Sequence, residues 1–271
     1  MAHQKILYIA QEISPYLPDT PLSLMNRHIP QAIQESGFEV RTFMPKYGCI
    51  NERRNQLHEV IRLSGMNIII DDTDHPLIIK VATLQPARMQ VYFIDNEDYF
   101  QHGSVKELEI KLSPEDNDER IMFFVRGVIE TVKKLRWEPA VIHCSGWISA
   151  LAPLYLKRLY QDDPSFRQSK VVYSLHDDGF DGTFDGRFAE KLKMDEFKDA
   201  DIETLGDSPV DYVTLGKLAI DYADAIVEAS ENALPELVEY AEKSGKPFMR
   251  YQSDAETQAA RYAEFYNTLI Q

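Results

Sequence analysis

Short apolar, β-prone runs alternate with helical patterns along most of this chain, and that alternation restricts its fold more than any other feature. Runs at 5–10, 39–44, 67–70, 77–82, 90–94, 140–143, 170–175, 225–229 and 247–251 read as strands. Several are apolar on both faces, as parallel strands covered by helices on two sides must be. The clearest helix spans 118–136, where Ile121, Phe124, Val125, Val128, Ile129, Val132 and Leu135 form one stripe at helical spacing. Asp116, three residues ahead of Glu119, predicts a capped start, and Pro139 ends the pattern just before the next strand. Further helices are expected at 22–36, 147–160, 210–223, 233–243 and 254–270. The alternation predicts an α/β fold: a Rossmann-like, doubly wound, mainly parallel sheet with the first strand in its interior. The runs at 67–70, 77–82 and 90–94 follow one another without helices, which predicts a hairpin-like excursion at one edge.

No Pro/Gly/Ser linker or internal repeat divides the 271 residues, so one domain over 1–271 is expected. Within it, 177–211 reads as a long acidic loop with one short helix, and 254–270 as a closing helix. With 44% hydrophobic residues the chain sustains a sizeable core. Its net charge of −15 disfavours nucleic acid and anionic lipid and suits a neutral glycan or a protein partner. The two cysteines, Cys49 and Cys144, match no metal or disulfide spacing. Nothing before the first strand reads as a signal peptide and no apolar run spans a bilayer, so a cytoplasmic location is expected.

In an open α/β sheet, ligands sit at the carboxyl ends of the strands. Three such ends carry polar groups: Gln11, Glu12 and Ser14; His143, Cys144 and Ser145 before Gly146 and Trp147; and His176, Asp177 and Asp178. Their convergence would form a pocket for a hydroxyl-rich small molecule. Each residue also has a plainer reading. His143 and His176 read equally well as buried histidines bonded to backbone, Glu12 as a residue that holds a turn or the next helix, and Trp147 as core. Cys144 and His143, adjacent on a strand, point to opposite faces and do not act together. The Asp/Gly run at 177–186 lacks the spacing of a calcium loop, so no metal is expected there. No Gly-rich loop follows the first strand, no nucleophile elbow or zinc signature is present, and no cofactor is implied.

Several segments carry a family resemblance. The first is Ile6-Leu7-Tyr8-Ile9-Ala10-Gln11-Glu12-Ile13-Ser14-Pro15, a strand with an S-E-x-x-P-like turn. The stretch from Gly37 to Gly48, Val91 to Phe100 with its Asp95-Asn96 pair, Glu119-Arg120-Ile121-Met122-Phe123-Phe124, and Tyr222 to Ser230 follow in order. Together they resemble the glycogen/starch synthases, retaining transferases of the GT-B fold. The family's first turn continues K-T-G-G-L, whose lysine and glycines approach the donor phosphates; the matching positions here are Pro18-Asp19-Thr20-Pro21-Leu22. That exchange removes a cation and a permissive backbone. The family's H-x-H-D-W reads His143-Cys144-Ser145-Gly146-Trp147. Its I-H-N-x-x-Y-Q-G-x-F reads Leu175 to Phe184, with His176 and Gly182 kept and Asp177 and Asp181 in place of Asn and Gln. Lys217 matches a family lysine. Nothing after Ser230 reads as the second Rossmann domain of the GT-B fold.

The resemblance implies a glycogen/starch-synthase-like N-terminal half, not catalytic alone, acting as a glycan-binding or regulatory relative. Its alternative is an active glucosyltransferase, from ADP-glucose to α-1,4-glucan, completed by a partner chain. Candidate substrate-binding residues are Glu12, Tyr99, His143, His176 and Asp177, for an α-glucan or another small neutral saccharide. The turn with Leu17, Pro21, Leu22 and Met25 is expected to form an exposed apolar face for a protein partner or self-association. Its alternative is a turn folded down, with those side chains buried.

Overall fold

The computed structural model describes residues 4–101 and 116–270. Strand β1 (Lys5–Ala10) lies between β2 (Glu39–Pro45) and β7 (Val141–Ser145), both parallel to it, in the interior of the sheet as expected. The sheet extends from β7 through β8 (Lys170–Leu175) and β9 (Ala225–Glu228) to β10 (Phe248–Met249), all parallel. On the other side β2 pairs in parallel with β6 (Met89–Asp95), and β6 pairs antiparallel with the long β5 (Thr73–Leu84). Two strands finish that edge by pairing antiparallel with β5: β3 (His58–Glu59) and β4 (Met66–Ile70). The result is the mainly parallel, Rossmann-like α/β sheet expected. Only β3, β4 and β5 form the edge excursion, because β6 belongs to the parallel core.

Helices cover both faces. Helix α1 (Pro21–Glu35) and α8 (Ala255–Ile270) pack against each other on the face that displays Tyr8 and His143. Helix α3 (Asn117–Leu135) covers the opposite face and buries its apolar stripe from Ile121 to Val132, leaving Leu135 half-buried. A Cβ on Gly127 would stand 3.0 Å from the Ile94 side chain, so that helix sits close on β6. Asp116 precedes α3 but makes no side-chain cap bond, contrary to the expected start; the acidic Asp118 and Glu119 in the first turn complement the helix dipole instead.

A short helix, α2 (Glu97–Phe100), follows β6 and is capped by Asn96. The helix expected over 147–160 is broken into a 3₁₀ turn (Trp147–Ser149) and α4 (Ala152–Arg158), with Pro153 in the first turn of α4. The acidic stretch is more ordered than expected. It holds α5 (Phe188–Met194) and two 3₁₀ turns, Asp199–Asp201 and Glu203–Leu205. Helix α5 is anchored by Lys191, whose Nζ is 2.7 Å from both Asp118 and Glu119. Helices α6 (Tyr212–Tyr222) and α7 (Pro235–Lys243) pack together, and α6 also packs against α4. Among the described residues no helix is long and apolar enough to cross a membrane.

Candidate functional site at the strand ends

The carboxyl ends of β1, β7 and β8 meet through a chain of buried hydrogen bonds. The Asn26 amide, on α1, donates to the Glu12 carbonyl at 3.0 Å. The Ser145 hydroxyl, at the end of β7, donates to Asn26 Oδ1 at 2.7 Å and lies 2.9 Å from His176 Nε2. With the Ser145 proton committed to Asn26, the imidazole donates through Nε2. Glu12 and His176 are therefore brought together, joined by Asn26 and Ser145. Burial lowers the pKa of His176 to about 3, so its ring is neutral at ordinary pH.

Gly146 lets β7 turn away at this point. Its φ is +92°, and a Cβ there would fall 2.5 Å from the Gln11 Cβ. The main chain of β7 is thus pressed against Gln11, whose N–H donates to the Ser145 carbonyl at 3.0 Å. Beyond the turn, the Trp147 N–H donates to Asp178 Oδ2 at 2.7 Å, and the Tyr212 hydroxyl donates to Asp178 Oδ1 at 2.8 Å. Burial raises the Asp178 pKa to about 6; the Tyr212 and Trp147 bonds lower it, and the nearby Glu12 and Asp177 raise it. Asp178, not Asp177, is the carboxyl that faces the site, since Asp177 is exposed. Trp147 is buried core, as its plainer reading held.

Glu12 is committed to the turn that follows β1. Its carboxylate accepts from the Thr20 hydroxyl, and burial raises its pKa. Thr20 is also the N-cap of α1: its Oγ1 accepts from the Ser23 N–H at 2.9 Å, and Ser23 Oγ accepts from the Thr20 N–H at 2.9 Å. Pro21 takes the first helical position, where a missing N–H costs nothing. Asp19 accepts from the Ser14 hydroxyl at 2.6 Å. The segment Pro18-Asp19-Thr20-Pro21 is thus a capped helix entry.

That turn is not the exposed apolar face expected of it. Leu17 and Leu22 are buried, and Met25 packs beneath Tyr262 of α8, whose hydroxyl is 3.8 Å from its sulfur. Of the four side chains only Pro21 is exposed.

The remaining two candidates lie in other networks. His143 lies inside the sheet face under α8: its Nε2 is 2.6 Å from Ser174 Oγ and its Nδ1 is 2.8 Å from the Tyr266 hydroxyl. Burial pushes its pKa down to about 3. Tyr99, on α2, lies 3.0 Å from His75 Nε2 and donates to Glu119 at 2.9 Å, within the cluster completed by Lys191. Cys144 points to the other face from His143 and is buried, which raises its thiol pKa. Lys217 is engaged by Glu236 at 2.6 Å. A cleft of about 370 Å³ lined by Gln34, Phe38, Glu39, Arg41, Arg88 and Gln90 lies at the opposite, amino end of β2 and β6. Among the described residues no group of His, Cys, Asp and Glu is arranged to hold a metal ion.

The parallel sheet with polar groups at three adjoining strand ends defines a Rossmann-like domain of GT-B glycosyltransferase type. More particularly, the chain belongs to the starch synthase catalytic domain family, whose model matches residues 5–248. It is 37% identical over 197 residues to the glycogen synthase of Chlorobium luteolum, covering 72% of this chain and 40% of that protein. It is 35% identical over 241 residues to the glycogen synthase of Chlorobaculum tepidum, covering 89% of this chain and 48% of that protein. The chain therefore spans less than half the length of these curated relatives. The catalytic domain of starch synthase IV from Arabidopsis thaliana, bound to ADP and acarbose, shares the fold. Its TM-score is 0.73 at 17% identity, over 95% of this chain and 53% of that one.

Proposed function

We propose that this chain is a glycogen/starch-synthase-like domain that binds a neutral saccharide at the carboxyl ends of β1, β7 and β8, and that by itself it transfers no glucose from a nucleotide sugar. The observation that carries this reading is the turn after β1. Where the family pattern places a lysine and two glycines, Pro18 replaces the cation, and Thr20 caps α1 while binding Glu12. Phosphate leaving groups need positioned positive charge, and this turn supplies none. The groups around it, Glu12, Asp19, Asp177 and Asp178, repel a diphosphate and accept hydrogen bonds from hydroxyls. Arabidopsis starch synthase IV is bound to both ADP and acarbose; of those two chemistries, this site suits the saccharide.

Titration calorimetry with maltooligosaccharides and with ADP tests the reading, beside an assay of labelled glucose transfer from ADP-glucose to glycogen. Saccharide binding without ADP binding or transfer is expected. Tight ADP binding with no saccharide binding overturns it, as does transfer by the isolated chain that a Glu12→Ala, His176→Ala double variant loses. A second reading, a glucosyltransferase completed by a partner chain, draws support from the retained, neutral His176 at the end of β8. It expects transfer only when the companion is added.

A further inference from the structure

Residues 177–183 cross the strand ends between two fixed points. β8 ends at Leu175, and the Phe184 N–H is held by the Val210 carbonyl at 2.8 Å. Between these points Asp177, Gly179, Asp181, Gly182 and Thr183 are exposed, and Gly182 turns at a φ of +85° with open space around it. Two side chains tie the segment down. Phe180 stacks on Phe184 at 5.1 Å and meets the ring of Trp147 edge-on at 5.0 Å. Asp178 bridges the Trp147 N–H and the Tyr212 hydroxyl.

We propose that residues 177–183 form a movable cover over the strand-end site, latched by the Asp178 carboxyl, and that proton uptake by that carboxyl tightens the latch. The inference rests on the saccharide reading only in placing a ligand beneath the cover. Closing the latch draws the part-buried carboxyl in against Trp147 and Tyr212 and beside Glu12, from the end of β1, and Asp177, its own neighbour. Both are acidic. The other titratable groups that face it carry no charge to offset this: burial raises the phenol pKa values of Tyr173 on β8 and Tyr212 on α6, and holds His176 neutral. An ionised latch is therefore held against burial and like charge, and a protonated one is not. The protonated form keeps every tether. Its carbonyl oxygen still accepts from the Trp147 N–H, its hydroxyl donates to the Tyr212 oxygen, and the Tyr212 proton turns to the His176 carbonyl, already 3.3 Å away.

The sign follows from linkage. In the closed cover the Asp178 pKa is about 6; in the open cover the carboxyl is in water and returns to the ordinary 3.8. The closed form binds the proton more tightly, so closure strengthens as pH falls from above 6 toward 3.8. Between pH 7.5 and pH 5 the opening constant should fall about tenfold. Hydrogen exchange of the Trp147 N–H, which Asp178 accepts, corrected for its intrinsic rate, reads that constant directly. Wild type is expected to open about tenfold less at pH 5, and Asp178→Asn to show no such pH dependence. Tyr212→Phe, which removes a donor favouring the ionised form, should move the midpoint of the pH effect upward. An opening constant equal at the two pH values in wild type overturns the proposal, and so does a full pH effect surviving in Asp178→Asn or a midpoint unmoved in Tyr212→Phe. If Asp178→Asn fails to fold, wild type and Tyr212→Phe decide it. Maltooligosaccharide titration run alongside separates the two readings: binding lost with the pH effect intact removes the saccharide, and the reverse removes the latch.

Discussion

The Tyr266 hydroxyl, near the end of α8, lies 2.8 Å from Nδ1 of His143 in the middle of β7. The same hydroxyl is 2.9 Å from that of Tyr8 on β1, and His143 Nε2 reaches Ser174 on β8. One helix therefore completes a polar cluster spanning three adjacent strands. All four residues are buried, so each bond stands in for one that water would otherwise make.

Tyr266→Phe should lower unfolding free energy by about 1–3 kcal/mol, because the lost hydroxyl strands an imidazole nitrogen and the Tyr8 hydroxyl in the core. Urea denaturation checks this: the midpoint should fall with the slope unchanged. An unaltered midpoint would mean that water reaches His143.

Two glycines with similar φ should respond differently to alanine. Gly146 and Gly182 both have positive φ, but a Cβ meets Gln11 at 2.5 Å in the first and nothing within 4 Å in the second. Gly182→Ala should cost about 1–2 kcal/mol from backbone strain alone. Gly146→Ala should cost more, since Gln11 and β7 must also separate. Thermal unfolding of the two variants measures the difference, and equal losses would deny the close approach.

Lys191 is the cation between Asp118, fully buried, and Glu119. Lys191→Met leaves the Asp118 charge without that partner and should cost about 3–5 kcal/mol. Adding Asp118→Asn should restore part of it, which a double-mutant cycle by chemical denaturation would read. Independent, additive losses would show that the pair is not coupled.

Acid should destabilise the fold through its histidines. His143 and His176 have folded pKa values of about 3, below the ordinary 6.5, so the unfolded chain takes up their protons first. Their contribution is complete above pH 6.5 and is lost as pH falls toward 3. Asp178 acts in the opposite sense between about 6 and 3.8. Urea midpoints across this range should fall with acidity in wild type and fall less steeply in a His143→Asn, His176→Asn double variant. Equal slopes would place the acid sensitivity elsewhere.

Much of the fold was legible in the sequence. The runs at 5–10 and 170–175 are strands with those bounds, because each is an apolar stretch cut off by polar or turn-forming residues. The two-residue β3 left no periodic signal at all. Helix α5 did leave one, with Phe188 and Leu192 four apart and both buried, and it is the short helix expected within the acidic stretch. The site was less legible. Nothing in the sequence ties Asn26, inside α1, to Ser145, 119 positions away, yet that bond joins Glu12 to His176. Asp177 and Asp178 are chemically identical neighbours, and only the path of the chain after β8 decides which turns inward. His143 lies two residues short of the end of β7, and strand parity aims it at α8 rather than at the opening.

The bond between Tyr8 and Tyr266 joins positions 258 residues apart, which sets a timetable for synthesis. At a ribosomal rate of about 5–20 residues per second, the first strand waits on the order of ten to fifty seconds for the helix that covers it. Once β7 has been made, Tyr8 and His143 present a polar, aromatic sheet face that α8 does not yet cover. The nascent chain must stay soluble in that state, and a stalled or truncated product ending before α8 would be a natural client for chaperones.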